Sequence, residues 1–583
     1  MRARLDANVP KALASPFAPS TLLRVDEGSP AAAARAARPR SAASAAPAGR
    51  LHPALASFGR PAHSTTVPPR AGRSGGAAAP LLLLPRAGRN PRRPPGGSRP
   101  MPEFVARLRV PAPASLLFDW HERPGAFERL TPPWQPVALE HTDGIRPGDR
   151  AVIRLGYGPA SVRWTAEHRA YSDACRRGDG ACQFTDIQTS GPFAAWRHTH
   201  WMTEQGPDAS LLEDDVAYTL PLAPLSTAVA GWVARGQIER MFAYRHRVTR
   251  EDVARHAEAD RERRAAGGGA GPMTFAITGS SGLIGSALTA FLTGGGHTVV
   301  RLVRDRAEAA RSQDTVYWNV ADGEVDHAAL AEAAPDAVVH LAGEPVFGLA
   351  YTAEKKRAVW ESRTKGTQLL SRALAALPTP PRVLVSASAS GIYGDRGAEP
   401  LTEASALGGG FLADVCRAWE TSTAEAEAAG VRVTHARVGL VLSPRGGLLG
   451  PLLPATLAGL GGWPGDGTAY WPWIALDDVV YALAWLLRPG APGGAVNLSA
   501  PEPAQARPFM KALGTTVRRP VVLRAPARLV RALGGEAAEE LALKSARMLP
   551  ERLLASGFRF AYPTLDGALG HELGHAPPPD GEA

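Results

Sequence analysis

The chain has 583 residues, of which 45% are hydrophobic and 21% charged, and a net charge of +10. That length exceeds a single core and points to roughly three or four domains. The charge is local: residues 1–100 hold 16 Arg+Lys against 3 Asp+Glu, so the rest of the chain is at −3 and a nucleic-acid partner is set aside.

Residues 1–100 are rich in Ala, Pro, Arg and Gly and lack apolar periodicity, so a disordered arm is expected, or a true start at Met101. The longest aliphatic run there, Leu81 to Leu84, is far too short to cross a bilayer, and no charged-then-apolar signal opens the chain. Cys175, Cys182 and Cys416 form neither a C-x-x-C pair nor a Cys/His metal spacing, and a small, odd count fits a reducing compartment. The expectation is a cytoplasmic protein with no membrane span.

Residues 101–256 read as an α+β unit. Phe104 to Val110 is a strand and Pro113 to Trp120 a helix; strands follow, among them Ala151 to Leu155 and Val162 to His168. Leu225 to His256 has helical spacing, with Val229, Val233, Ile238, Met241 and Phe242 on an apolar side. His198 and His200 sit two apart on a strand and share a face with Trp196. They lack an obvious third ligand, so they are read as solvated or hydrogen-bonded histidines and no metal is expected. Asp186, Arg245 and His246 are candidates for the mouth of a cavity. Residues 257–272, Glu/Arg-rich and then glycine-rich, read as a helix end and a linker.

The most informative stretch is Phe275 to Gly285. It reads as a buried strand, a glycine turn with Gly279, Gly282 and Gly285 in T-G-x-x-G-x-x-G spacing, and a helix start. Side chains at such a turn would keep a pyrophosphate from the backbone N–H groups and the helix N-terminus. The helix is amphipathic, with Leu283, Ile284, Ala287, Leu288, Phe291 and Leu292 on one face; Gly294 to Gly296 end it, and Thr298 to Val303 is the next strand. Strands at Ala337 to Leu341, Val383 to Ser386, Val431 to Val438 and Ala495 to Leu498 alternate with helices. This predicts a doubly wound parallel sheet covered on both faces. Residues 501–573 read as a small helical domain and 574–583 as a tail. At the second strand's end, Arg304, with Arg301, suits a 2′-phosphate, whereas Asp305 beside it suits the ribose hydroxyls of NAD; NADP(H) is preferred.

Further motifs occur in order: His340-Leu-Ala-Gly343, Ser386-Ala-Ser388, Ile392-Tyr-Gly-Asp-Arg396 and Trp473-Ile-Ala-Leu-Asp-Asp478. With the glycine turn, they resemble the extended short-chain dehydrogenase/reductase superfamily, in its epimerase-like, NAD-dependent epimerase/dehydratase branch. Met548 to Leu554 and Gly557 to Pro563 resemble that branch's C-terminal domain of unknown function. The resemblance implies a Rossmann-type fold in which Gly279, Gly282 and Gly285 approach the pyrophosphate, aided by Ser280, Ser281, Leu283 and Ile284. Leu341, Ala342 and Gly343 would line the adenine and ribose side, and the Ser386 to Ser388 turn would face the nicotinamide. It implies an NADP(H)-dependent oxidoreductase or epimerase-type enzyme acting on a small molecule, with NAD as the alternative cofactor and a non-catalytic NADP(H)-binding sensor or assembly factor as the alternative function.

One part of the pattern is missing. Hydride-transfer members need a Tyr-x-x-x-Lys pair, the lysine lowering the tyrosine pKa. Anchored on Glu420, the tyrosine and lysine slots of the helix from Phe411 hold Leu412 and Cys416. Three readings stand: Ser388 and Tyr393 as the catalytic pair, adjusted by Asp395 or Arg396; a different acid, Glu420 or Asp414; or binding without turnover. Cys416 reads as core, Asp477 as a helix N-cap, and Trp463, Tyr470, Trp471 and Trp473 as a cluster that either stacks on a substrate ring or packs within its own loop. Residues 101–256, through Phe118 to Phe127, Leu130 to Trp134, Gly191 to Trp196 and Phe242 to His246, resemble the START-like, polyketide-cyclase/dehydrase-type (SRPBCC) superfamily. That implies a helix-grip fold holding a hydrophobic ligand, and the fusion implies that it presents substrate to the cofactor domain.

Overall fold

The computed structural model describes residues 103–576 apart from residues 224, 270 and 347–350. The expected arm, the Met101 start and most of the 574–583 tail lie outside the described residues. Among those described, no helix is long and apolar enough to cross a membrane.

Residues from Glu103 fold into a seven-stranded antiparallel sheet: β1 (Glu103–Val110), β2 (Val137–Thr142), β3 (Arg150–Leu155), β4 (Val162–Asp173), β5 (Cys182–Ser190), β6 (Ala195–Gly206) and β7 (Ala209–Thr219). The order is β1-β7-β6-β5-β4-β3-β2. Helices α1 (Ala114–Glu122) and α2 (Ala126–Leu130) follow β1, and α3 (Leu225–Ala265) follows β7. Period-two burial along β7 turns Leu212, Asp214 and Val216 inward. Ile238 and Phe242 of α3 pack there with Trp196, Val216 and Tyr218. Val233 is solvent-exposed instead of apolar-side, and α3 ends at Ala265, within the segment expected to hold the helix end and the linker. Cys175 and Cys182 are joined in a disulfide across the β4–β5 connection, and Cys416 is the free cysteine. The odd-count argument for a reducing compartment missed this pairing, because the partners meet through a hairpin and not through a C-x-x-C spacing.

From Thr274 an eight-stranded sheet forms: β8 (Thr274–Thr278), β9 (Thr298–Val303), β10 (Thr315–Asn319), β11 (Glu324–Val325), β12 (Ala337–His340), β13 (Val383–Ala389), β14 (Arg432–Val438) and β15 (Gly494–Leu498). The order is β11-β10-β9-β8-β12-β13-β14-β15, parallel except for the β10–β11 pair. The chain winds outward in both directions from β8 and β12, which opens a crevice at their carboxyl ends. Helices α4 (Leu283–Gly294), α5 (Ala353–Ala375), α6 (Phe411–Thr421) and α7 (Leu476–Leu486) cover the faces. Phe275, Ile277, Leu288, Phe291 and Val339 share one core with Val479 and Leu483 of α7.

The two sheets' domains meet along α2 and α4. Gly125, at φ +95°, is so close to α4 that a Cβ there would lie 2.2 Å from Ala290 O, and one on Gly294 would lie 3.1 Å from Trp120 Nε1. Beside this contact Arg129, 4% exposed, donates to both carboxylate oxygens of Asp252 at 2.8 Å and to Asp477 Oδ1 at 2.6 Å. Asp477 also pairs with His571 at 2.8 Å, and Tyr481 donates to Asp252 at 2.8 Å. Asp477 therefore does not cap α7; the cap position is Ala475. Burial opposes the charge on Asp477, but Arg129 and His571 outweigh it and hold its carboxyl below the usual carboxylate range. Burial pushes Asp252 up in spite of the same arginine.

Candidate functional site

The glycine turn lies between β8 and α4. Gly279 has φ +69°, and a Cβ on it would lie 2.9 Å from Ala342 N; one on Gly285 would lie 2.2 Å from Gly279 O, and one on Gly282 3.2 Å from that oxygen. The three glycines thus let the turn, the end of β12 and the first turn of α4 close on one another. No side chain caps α4 and no acidic residue stands in its first turn, so its positive end is left for an anion. Ser280 is buried beside this end, and Ser281 is exposed.

Behind the turn, the Thr278 hydroxyl accepts from Leu341 N at 3.1 Å and Ala342 N at 3.2 Å and pairs with His340 Nδ1 at 2.7 Å. His340 Nε2 pairs with Thr367 of α5 at 2.9 Å. Burial pushes the imidazole down to about 4, so it is neutral and serves as a clamp between strands and helix. Gly343 lies against Arg363, whose guanidinium donates to Glu344 O at 2.8 Å.

At the end of β9 the three charged side chains separate. Arg301 pairs with Glu308 at 2.9 Å, and Asp305 caps the next helix by accepting from Ala307 N and Glu308 N. Arg304 is exposed.

The crevice is a cavity of about 390 Å³ lined by Gly279, Leu283, Ile284, Leu341, Arg363 and Ser388 among others. Its far wall includes Leu412 and Cys416 of α6, then Tyr470 and Trp471, then Glu540 and Lys544 of the C-terminal segment. Leu412 and Cys416 face it from the positions where a tyrosine and lysine pair would stand. Burial pushes the Cys416 thiol up to about 11, so it is not a thiolate. Trp473 is fully buried and donates to Glu502 O at 3.0 Å, and Trp463 packs under Arg507; only Tyr470 and Trp471 of the aromatic cluster reach the cavity.

Ser388 and Tyr393 are not brought together. Ser388 lines the cavity and donates to Glu420 Oε1 at 2.7 Å. Arg437 donates to both oxygens of Glu420, at 2.8 and 2.9 Å, and to the Tyr393 hydroxyl at 2.9 Å. That hydroxyl donates to Asn497 Oδ1 at 2.7 Å, and the ring is fully buried with Ile392, Leu401 and Met548. Burial pushes the Tyr393 phenol up although Arg437 and Asn497 act the other way. Ser386 is fully buried, outside the cavity lining, and its hydroxyl has no hydrogen-bond partner among the described residues. Asp414 pairs with Arg417 on an exposed face of α6, and Asp395 accepts from Ser545 N at 3.2 Å. Arg437 escaped the sequence reading. Its local sequence carried no clear signal, since Val431 to Val438 also holds Arg432, Thr434 and His435, and Arg432 is satisfied by backbone carbonyls alone.

Residues 275–499 match the NAD dependent epimerase/dehydratase family, and residues 525–572 match a domain of unknown function, DUF1731. An epimerase family protein of Mycobacterium bovis is 41% identical over 296 residues, which are 51% of this chain and 96% of that protein. The chain belongs to this epimerase family. Epimerase family protein YfhF of Bacillus subtilis is 32% identical over 298 residues, 51% of this chain and 97% of YfhF. The crystal structure of a nucleoside-diphosphate sugar epimerase from Corynebacterium glutamicum is 32% identical, with a TM-score of 0.65 over 82% of this chain and 91% of that one. An 82% match is more than residues 273–583 alone supply, so the family architecture in that structure extends into the front domain. The human epimerase family protein SDR39U1, solved with NADPH, is 28% identical over 52% of this chain and 99% of that one, with a TM-score of 0.46.

Proposed function

We propose that residues 273–573 form an NADP(H)-dependent oxidoreductase or epimerase-type enzyme acting on a small molecule, with NAD as the alternative cofactor. One observation carries this reading: a single cavity of about 390 Å³ is lined both by the glycine turn and by Ser388. The residues fit the cofactor, because the tight turn at Gly279, Gly282 and Gly285 opens onto the uncapped start of α4, which has no acidic residue in its first turn. Gly279 to Gly285 take the pyrophosphate, and Leu341, Ala342 and Gly343 the ribose side. Arg304 takes the 2′-phosphate, a preference supported by Asp305 being spent on a helix cap. The bound nicotinamide supplies hydride exchange. Ser388 is the group that meets the substrate oxygen, with Glu420 behind it as proton acceptor. Tyr393 acts through Arg437, which fixes the Glu420 carboxylate, and does not touch substrate.

The second reading is a non-catalytic NADP(H)-binding sensor. Leu412 and Cys416 in the pair's positions, and the sealed Tyr393 hydroxyl, favour it. Residues 101–256 are a START-like ligand-holding domain, a reading supported by the sheet that wraps α3 around a cavity of about 460 Å³ lined by Trp164, Phe184, Trp196 and Met241. Presentation of its ligand to the cofactor domain is supported by α2, which lines that cavity and rests on α4.

The test is a fluorescence titration with NADPH and NADH, repeated on Gly282→Glu. NADPH binding that the variant loses supports the reading, and no binding of either nucleotide sinks it. Turnover of any substrate lost in Glu420→Gln separates enzyme from sensor.

A further inference from the structure

The front cavity has a polar floor that the ligand-holding role does not use. Its register comes from the sheet. Asp186 of β5 stands opposite His198 of β6, and His200, two residues along the same strand, stands opposite Asp214 of β7. Side chains two apart share a face, so Asp186, His198, His200 and Asp214 form one patch. Asp186, His198 and His200 line the cavity, and Asp214 lies beneath it, 2% exposed.

We propose that Asp186, His198 and His200 bind one divalent first-row transition metal, of which Zn²⁺ is the type, at the floor of the front cavity. Each offers one ligand atom, and these atoms lie within 4.8 Å of one another. Bonds of about 2.0–2.2 Å put the ligand atoms of a formed tetrahedral site roughly 3.4 Å apart, so small side-chain rotations close the set. The third ligand missing from the sequence is Asp186, which is 12 residues away from His198 along the chain but directly across the ladder.

The surroundings resemble the support of a metal site. His198 Nε2 pairs with Asp214 Oδ1 at 3.0 Å and its Nδ1 with Asp186 Oδ2 at 3.2 Å, and the second of these pairs is the one a metal would open. His246 Nε2 holds the other Asp214 oxygen at 2.7 Å. A carboxylate behind a ligating imidazole fixes the ring and raises its basicity. Trp196 Nε1 donates to Asp186 Oδ1 at 3.1 Å and fixes the third ligand in the same way. His200 Nδ1 is buried and lies 2.7 Å from Asp214 Oδ1, so the second imidazole rests against the same carboxylate. Arg245, a cationic side chain near Asp186 and Asp214, directs its Nε to Leu130 O at 3.3 Å. Two histidines and one carboxylate leave coordination positions open toward the cavity, where an oxygen of the bound ligand or a water completes the shell.

The test uses the full chain, stripped with a chelator and titrated with Zn²⁺ against a chromophoric competitor, and with Co²⁺ read by its visible d–d bands. The expected result is one Zn²⁺ per chain and cobalt bands of a low-coordinate N/O site. Asp186→Asn and His200→Gln should each lose at least tenfold in affinity, as should Asp214→Asn, which touches the metal only through a ligand. His141→Ala, on an exposed strand end, should bind as the parent does. Circular dichroism checks that each variant folds. Absence of cobalt bands in the parent chain overturns the proposal whatever the variants do. Stoichiometric binding that survives both His200→Gln and Asp186→Asn overturns it equally.

Discussion

Replacing Arg129 with Met tests whether the two domains are locked by charge. The side chain is 4% exposed and is shared by Asp252 and Asp477, which are themselves buried. Methionine keeps the apolar stem and removes the guanidinium. Breaking a buried pair from one side costs about 3–5 kcal/mol because the remaining charge is uncompensated. Here Tyr481 still donates to Asp252 and His571 still pairs with Asp477, so the lower end, about 3 kcal/mol, is expected. Unfolding entropy of about 2.1 cal/mol/K per residue, over a body of roughly 470 residues, makes each kcal/mol about 1 °C. Scanning calorimetry at pH 7 should therefore show a fall of about 3 °C. It should also show the transition broadening or splitting, since the lost contact joins the front domain to the cofactor domain. The deficit should shrink at pH 5, where the freed carboxyls, raised by burial, take up protons. Asp477→Asn in the same background should cost less than it does alone. A shift below 1 °C with one sharp transition would refute the lock.

Other outcomes follow from single contacts. Gly285→Ala puts a methyl 2.2 Å from Gly279 O, and the turn must open; NADPH affinity should drop about 10- to 100-fold, with an overpacking cost of about 1–3 kcal/mol, read by fluorescence titration. Arg304→Ala should weaken NADPH roughly tenfold and leave NADH unchanged, whereas Arg301→Ala, whose charge is already paired with Glu308, should change neither by more than about twofold. Asp478 is buried and its carboxyl is pushed up to about 7, although Ala561 N and Tyr562 N donate to it. A raised acid is fully stabilising below its unfolded value near 3.8 and loses that contribution as pH rises toward 7. Against Asp478→Asn, the parent should lose up to about 1.4 kcal/mol per pH unit across that window in urea melts. Purified without reductant and then denatured, the chain should react at one thiol, Cys416, and at three after reduction; a count of three without reductant removes the Cys175–Cys182 bond.

Local periodicity was enough for much of this fold. The strand, glycine turn, helix and strand from Phe275 to Val303 could be read because each step is specified by neighbours in sequence. The α4 face carrying Leu288, Phe291 and Leu292 follows directly from a 3.6 period. What escaped is non-local. No pattern around Arg129 announces two carboxylates 123 and 348 residues away. Asp477 was read as a cap because an acidic residue at a helix start has that local use, and the tertiary demand of Arg129 and His571 overrode it. Tyr393 was assigned to the cleft by its place in a motif. Its direction is decided by Asn497 and Arg437, which sit on other strands. His198 and His200 were correctly placed on one strand face, but which acidic side chain stands across from them depends on strand register, and composition does not give that.

The seating of the front domain on α4 has a consequence for reading other members of this family. The Mycobacterium bovis protein is matched over 96% of its length by 296 residues of this chain, which leaves it no room for a domain the size of residues 103–265. In this chain Thr293 and Gly294 are kept small because Gly125 and Trp120 press against them. A member without that domain has water at this face of the helix and is free to carry long polar side chains there. Side-chain size at those two positions is thus a marker, readable from the cofactor half alone, of whether a second domain is docked on its outer surface.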